Sequence, residues 1–104
     1  MPRIASRMKI FEGQEEEYKR RHDALWPDLE ALLHQTGISD YSIFLDEGTG
    51  DLFAVLQAED PAKLSDLPSH PVMQKWWAYM KDIMESNHDN SPVSTPLKDV
   101  FYMK

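Results

Sequence analysis

YSIFLDEGTGDLFAVLQA, residues 41–58, decides the architecture. Tyr41, Ile43 and Leu45 fall on one side with Phe44 on the other; Leu52, Ala54, Leu56 and Ala58 then oppose Phe53 and Val55. Such alternation marks half-buried strands, and a glycine-containing turn between two of them marks a hairpin. DEGTGD, with Gly48 and Gly50, supplies that turn. Strands are expected over Tyr41–Leu45 and Leu52–Ala58. Both faces of this hairpin carry apolar residues, whereas a sheet covered by helices on one side needs only one such face. Phe44, Phe53 and Val55 therefore predict a second cover, for which another copy of the chain is the simplest choice.

On the N-terminal side of the hairpin, the spacing predicts a helix from Gln14 to Thr36. Three acidic residues, Glu15 to Glu17, suit the positive end of its dipole, and Gly37 suits its C-cap. Pro27 removes a donor and crowds the carbonyl of Asp23, which predicts a kink or a break. Before the helix, Ile4 to Phe11 reads as a strand, with Met8 and Ile10 opposed to Arg7, Lys9 and Phe11. On the C-terminal side, Asp60-Pro61 opens a short helical turn that ends at Pro68. A second helix starts at Pro71 and presents Val72, Met73, Trp76, Tyr79, Met80, Ile83 and Met84, with Trp77 at the edge of the stripe. A polar loop, ESNHDNSPVSTP, precedes a final strand expected over Leu97–Met103. The order strand, helix, strand, strand, helix, strand is that of the ferredoxin-like split βαβ fold, an α+β class. A chain of 104 residues makes this one domain, residues 1–104.

Composition removes several functions. Eleven basic against 18 acidic residues give a formal charge of -7, unsuited to nucleic acid or to an anionic membrane. With no cysteine there is no disulfide, zinc–thiolate site or thiol nucleophile. MPRIASRMKIF lacks the apolar core of a signal peptide, and no window has the apolar length of a membrane span; a cytoplasmic protein is expected. His22, His34, His70 and His88 form no HExxH or similar metal-spaced group, and no glycine-rich phosphate loop is present.

Helical steps of about 100° place Tyr18, His22, Leu25, Leu29, Leu32, Leu33 and Thr36 on one face, with His34 on the opposite side. A histidine in an apolar stripe is either a hydrogen-bonded core residue or a pocket group that moves a proton. Tyr18 and His22, one turn apart, share the candidate site with Tyr41, Trp76, Trp77 and the NHDNS loop. Aromatic faces with hydroxyl, imidazole and indole tips suit a ligand with apolar C–H patches and many hydroxyls, such as a sugar. The plain alternatives are core packing for the rings and turn formation for Asn87, Asp89 and Asn90.

EEYKRRHDALWPDLEALL, YSIFLD, LFAV, QKWWAYMKDIM, DNSPV and the terminal VFY together resemble the L-rhamnose mutarotase family, over essentially the whole chain. The resemblance implies a homodimeric α/β-barrel of ferredoxin-like subunits that interconverts the anomers of L-rhamnose without metal or cofactor. It implies His22 as the proton donor and Tyr18, Tyr41, Trp76 and Trp77 as sugar contacts. Asn87-His88 ahead of DNSPV and the glycine-rich DEGTGD depart from the family pattern, which leaves room for a shifted sugar preference. The group that handles the anomeric proton is open among a tyrosine, a water and Asp89; His88 adds an ionisable group near the expected pocket mouth. Two other readings share the fold: a cofactor-independent monooxygenase, and a binding module in which His22 is purely structural.

Overall fold

Pro27 breaks the first helix rather than bending it. The computed structural model, which describes residues 2–104, has α1 at Glu15–Asp23 and α2 at Pro27–Gln35. A residue before proline is pushed out of the helical region; Trp26 accordingly is extended, at φ -62° and ψ 131°. Pro27 then starts the new helix, where its missing N–H costs nothing. Although the stripe is cut, Tyr18 from α1 and Leu29 and Leu32 from α2 are buried in the same core.

Four antiparallel strands form the sheet: β1 (Arg3–Lys9), β2 (Ile38–Asp46), β3 (Asp51–Ala58) and β4 (Thr95–Leu97), in the order β2-β3-β1-β4. This is the strand order of the split βαβ pattern, so the α+β class holds. A 3₁₀ segment, Pro61–Ser69, leads into α3 (Pro71–Met80). Among the described residues no helix is long and apolar enough to cross a membrane.

The second strand begins earlier than the alternation predicts, because a bulge hides its start. Ser39 pairs with Gln57 and Ser42 with Val55, so Asp40 and Tyr41 together oppose Leu56. Asp40 takes a positive φ of 49° to accommodate the extra residue. The inserted residue reverses the alternation. Ile38, on one side of the bulge, and Ile43 and Leu45, on the other, thereby all face the helices, and Tyr41 turns to that side as well.

Three further boundaries need correction. β1 stops at Lys9, after which Ile10 makes only a single bridge to Met84 and Phe11 is exposed. α3 stops at Met80; Ile83 and Met84 are buried from the turn that follows it. The largest difference is the last strand. Thr95–Leu97, the tail of the polar loop, pairs with Ala5–Arg7, and Pro96 is tolerated because this is an edge strand. The VFYM run lies beyond it. Its turn opens with the Phe101 N–H donating to Asp99 Oδ1 at 3.1 Å, and Val100, Phe101, Tyr102 and Met103 all stay exposed. The Arg3 guanidinium lies over the Tyr102 ring at 3.7 Å.

Candidate active site

A cleft of about 420 Å³, counted with its open mouth, lies between the helix side of the sheet and α1 and α3. Tyr18, His22, Tyr41, Trp76 and Trp77 all line it. Three separate elements deliver them: α1 carries the first pair, the bulge in β2 aims Tyr41, and α3 carries both indoles. The adjacent tryptophans differ in direction as helical neighbours must; Trp76 is buried, packing edge-on against Trp26 at 5.1 Å, while Trp77 is half-buried.

The Tyr18 and His22 rings stack with centroids 4.3 Å apart, and Trp76 meets His22 edge-on at 5.4 Å. His22 Nδ1 lies 3.0 Å from the carbonyl oxygen of Tyr18. A carbonyl only accepts, so this bond assigns the proton to Nδ1 in the neutral ring and leaves the Nε2 lone pair free. Among the described residues no protein group bonds Nε2. Burial pulls the histidine below its ordinary pKa of 6.5, and the Tyr18 carbonyl and Asp23 offset this only in part. Burial also pushes the Tyr18 phenol up, helped by its closeness to Tyr41. Tyr41 shows 44 % of its surface to solvent, yet its phenol end is enclosed by the cleft, and that burial raises it too. Both phenols therefore stay protonated at neutral pH and serve as donors.

Arg21, unnoticed in the sequence, holds α1 in place. Its buried guanidinium donates to Glu17 at 2.6 Å, to Asp82 at 2.9 Å and to the Tyr79 carbonyl at 2.7 Å, and lies over the Tyr79 ring at 4.3 Å. Hydrogen bonds from Arg20 and Arg21 bring the Glu17 carboxyl down to about 2. Arg21 neighbours His22 in the chain, and its contacts with Asp82 and the Tyr79 carbonyl tie α1 to α3 and the turn after it.

The loop splits into two sets. Ser86, Asn90 and Pro92 line the cleft; His88 and Asp89 do not. Asp89 accepts from the Ser91 hydroxyl and from its N–H at 3.0 Å, bonds that hold its carboxyl below the usual range and commit it to the turn. The rest of the wall is apolar: Met8 and Ile43 from the sheet, Met73 and Met80 from α3, and Met84. Periodicity marked these as core and gave no sign that the core was hollow. No group of three or more His, Asp or Glu side chains gathers in metal-holding geometry among the described residues.

The family model described as L-rhamnose mutarotase matches residues 3–103. The chain is 59 % identical over 103 residues to an L-rhamnose mutarotase of Sinorhizobium fredii, covering 99 % of each. It is 55 % identical over 104 residues to one of Rhizobium meliloti, covering all of both. A crystal structure of an L-rhamnose mutarotase from Formosa agariphila superposes with a TM-score of 0.94 at 49 % identity, again over both full chains. A putative antibiotic biosynthesis monooxygenase from Chloroflexus aurantiacus, at 12 % identity and a TM-score of 0.60, shares the fold alone.

Proposed function

The chain belongs to the L-rhamnose mutarotase family, and from that membership we propose that its cleft interconverts the α and β anomers of L-rhamnose by moving a proton on and off His22. The observation that carries this is the Nδ1–carbonyl bond to Tyr18, which leaves Nε2 as the free basic atom of a neutral imidazole lining the cleft.

Ring opening requires the anomeric hydroxyl to lose a proton and the ring oxygen to gain one. Nε2 takes the proton from the anomeric oxygen as its electrons form the C1 carbonyl and the bond from C1 to the ring oxygen breaks. Both oxygens are bonded to C1, so the imidazolium just formed delivers the same proton to the ring oxygen. Rotation about C1–C2 then offers the other carbonyl face. Nε2 removes the proton of the chain hydroxyl, that oxygen closes on C1, and the imidazolium returns the proton to the former carbonyl oxygen, which becomes the new anomeric hydroxyl. The histidine ends neutral, as it began, having acted as base and then as acid in each half. Every step is a proton transfer and asks nothing of a metal or organic cofactor. Transfer of this kind contributes about 10²–10⁴-fold, sufficient for a reaction that water performs slowly unaided.

The Tyr18 and Tyr41 hydroxyls donate to sugar oxygens as charge develops on them, and Trp76 and Trp77 hold the open chain so that reclosure outpaces escape. The apolar wall suits a sugar whose C6 is a methyl group. Residues 1–104 act as a single domain, and two copies pair as a dimeric α/β-barrel. The sheet's outer face supports the pairing: Phe44 is 66 % and Val55 36 % exposed there, and Phe101 joins them from the tail.

Fresh α-L-rhamnose with purified protein tests this reading. NMR saturation transfer between the two anomer signals should grow in proportion to protein added; exchange no faster than in buffer overturns it.

A further inference from the structure

We propose that Asn90 is the specificity-determining contact of the cleft, its carboxamide pairing with two vicinal hydroxyls of the sugar on carbons away from the anomeric centre. The proposal rests on the mutarotase reading above and adds a residue to it.

Asn90 has a φ of 74°, a left-handed conformation that asparagine tolerates better than most residues. The loop around it is braced. The Asn87 N–H donates to the Ser91 carbonyl at 2.7 Å, the Asn90 N–H donates to the Asn87 carbonyl at 2.9 Å, and Ser86 and Pro92 bridge the two ends. The neighbouring polar side chains serve that bracing. The Asn87 amide donates to Ser91 Oγ at 3.1 Å and to the Pro92 carbonyl at 3.3 Å, Asp89 accepts from Ser91, and the Ser86 hydroxyl donates to the Met84 carbonyl at 3.2 Å. The Asn90 carboxamide is different: it lines the cleft, and among the described residues no protein group bonds it. A braced loop that sets one amide, open to solvent and bonded by no other protein group among the described residues, at the wall of a cleft is arranged to recognise something polar.

The chemistry of the other walls says what. Tyr18, His22 and Tyr41 are placed at the reacting end, and Met8, Ile43 and Met73 accept no hydrogen bond of strength. The polar groups that remain are the Asn90 amide, the Ser86 hydroxyl, whose proton goes to the Met84 carbonyl, and the indole N–H groups of Trp76 and Trp77, so the amide alone offers a free donor and a free acceptor together. A carboxamide holds an acceptor oxygen and an NH₂ with two donors on one carbon, a match for neighbouring hydroxyls of which one donates and one accepts. A site built to bond a hydroxyl rejects a sugar that misplaces it far more sharply than an apolar wall does.

The test is Asn90→Gly. Glycine adopts the positive φ freely, so the loop keeps its path while the amide is lost; Asn90→Asp keeps an acceptor and removes the donors. Anomer exchange is measured for L-rhamnose and for its C2 and C4 epimers, 6-deoxy-L-glucose and 6-deoxy-L-talose. Tryptophan-fluorescence titration of each sugar reads binding whether or not exchange is catalysed. For Asn90→Gly the expected result is a rise in KM and Kd for L-rhamnose on the order of tenfold, with preference over the epimers largely lost; Asn90→Asp should fall between. Parental KM, Kd and preference in Asn90→Gly would reduce Asn90 to a turn residue and overturn the proposal. An inactive parent protein would instead overturn the mutarotase reading, and the titration would still decide for or against Asn90.

Discussion

His22 is fastened to Tyr18 at two points: Nδ1 lies 3.0 Å from the Tyr18 carbonyl oxygen, and the rings stack at 4.3 Å. The i,i+4 spacing makes both contacts local to α1, so they form as soon as the helix does. The first contact assigns the tautomer and the second fixes the ring plane. Together they fix the ring at the cleft wall and leave Nε2 as the nitrogen not bonded to the helix, an arrangement suited to a proton shuttle.

The pH profile should show a neutral resting histidine. Burial lowers the His22 pKa below its ordinary 6.5, so the working base is present above that value. The exchange rate per enzyme should be level from about pH 7 to 9 and fall on acidification, with a midpoint under the ordinary histidine range. Stability follows the same sign. The unfolded chain binds the proton more readily than the folded one, so His22 costs no stability above 6.5 and destabilises the fold as pH drops from there through its folded pKa. A rate that climbs toward acid would assign the imidazolium as the resting form and contradict this account.

Much of this could be read from the sequence, and the rest was hidden for definable reasons. The 41–58 hairpin, the disruption at Pro27 and the five residues that meet in the cleft follow from period, proline geometry and side-chain type. The bulge at Asp40 was invisible because inserting one residue simply looks like a later strand start. The final strand was misplaced because VFYM has strong strand character, yet pairing with β1 is decided by chain path, and Thr95–Leu97 reaches the edge first. Arg21 was missed because its i,i+4 relation to Glu17 is that of an ordinary surface pair; only the arrival of Asp82 and the Tyr79 carbonyl, some 60 positions away, makes it a clamp. Asn90 looked like any turn former, and the structure alone separates it from Asn87.

Arg21 should be a positioning residue as well as a stabilising one. Arg21→Met keeps the apolar stem and removes the guanidinium. Because the partner carboxylates reach solvent, the stability loss should be modest, about 1–2 kcal/mol, measured by urea unfolding. Exchange should fall through kcat, since α1 is freed to shift His22 and Tyr18 together while Tyr41, Trp76 and Trp77 stay on β2 and α3, and Arg21→Lys should restore part of it. Lost stability with an unchanged kcat would mean the clamp serves the fold alone.

Pairing through the outer sheet face predicts a dimer in sedimentation at micromolar protein. Phe44→Glu places a charge on that face, far from the cleft, and should shift the population to monomer. A parent protein that sediments as a monomer, or a Phe44→Glu variant that remains a dimer, would rule out this interface.

The most direct test of the central claim compares anomer exchange of L-rhamnose by the parent protein and by His22→Gln at neutral pH, with circular dichroism confirming the fold and titration confirming that sugar still binds. Glutamine keeps a polar side chain of similar reach but cannot carry a proton between two oxygens. The account predicts that binding persists while the rate falls by about 10²-fold or more. A folded, sugar-binding His22→Gln protein that exchanges anomers at the parental rate would show that His22 does not move the proton.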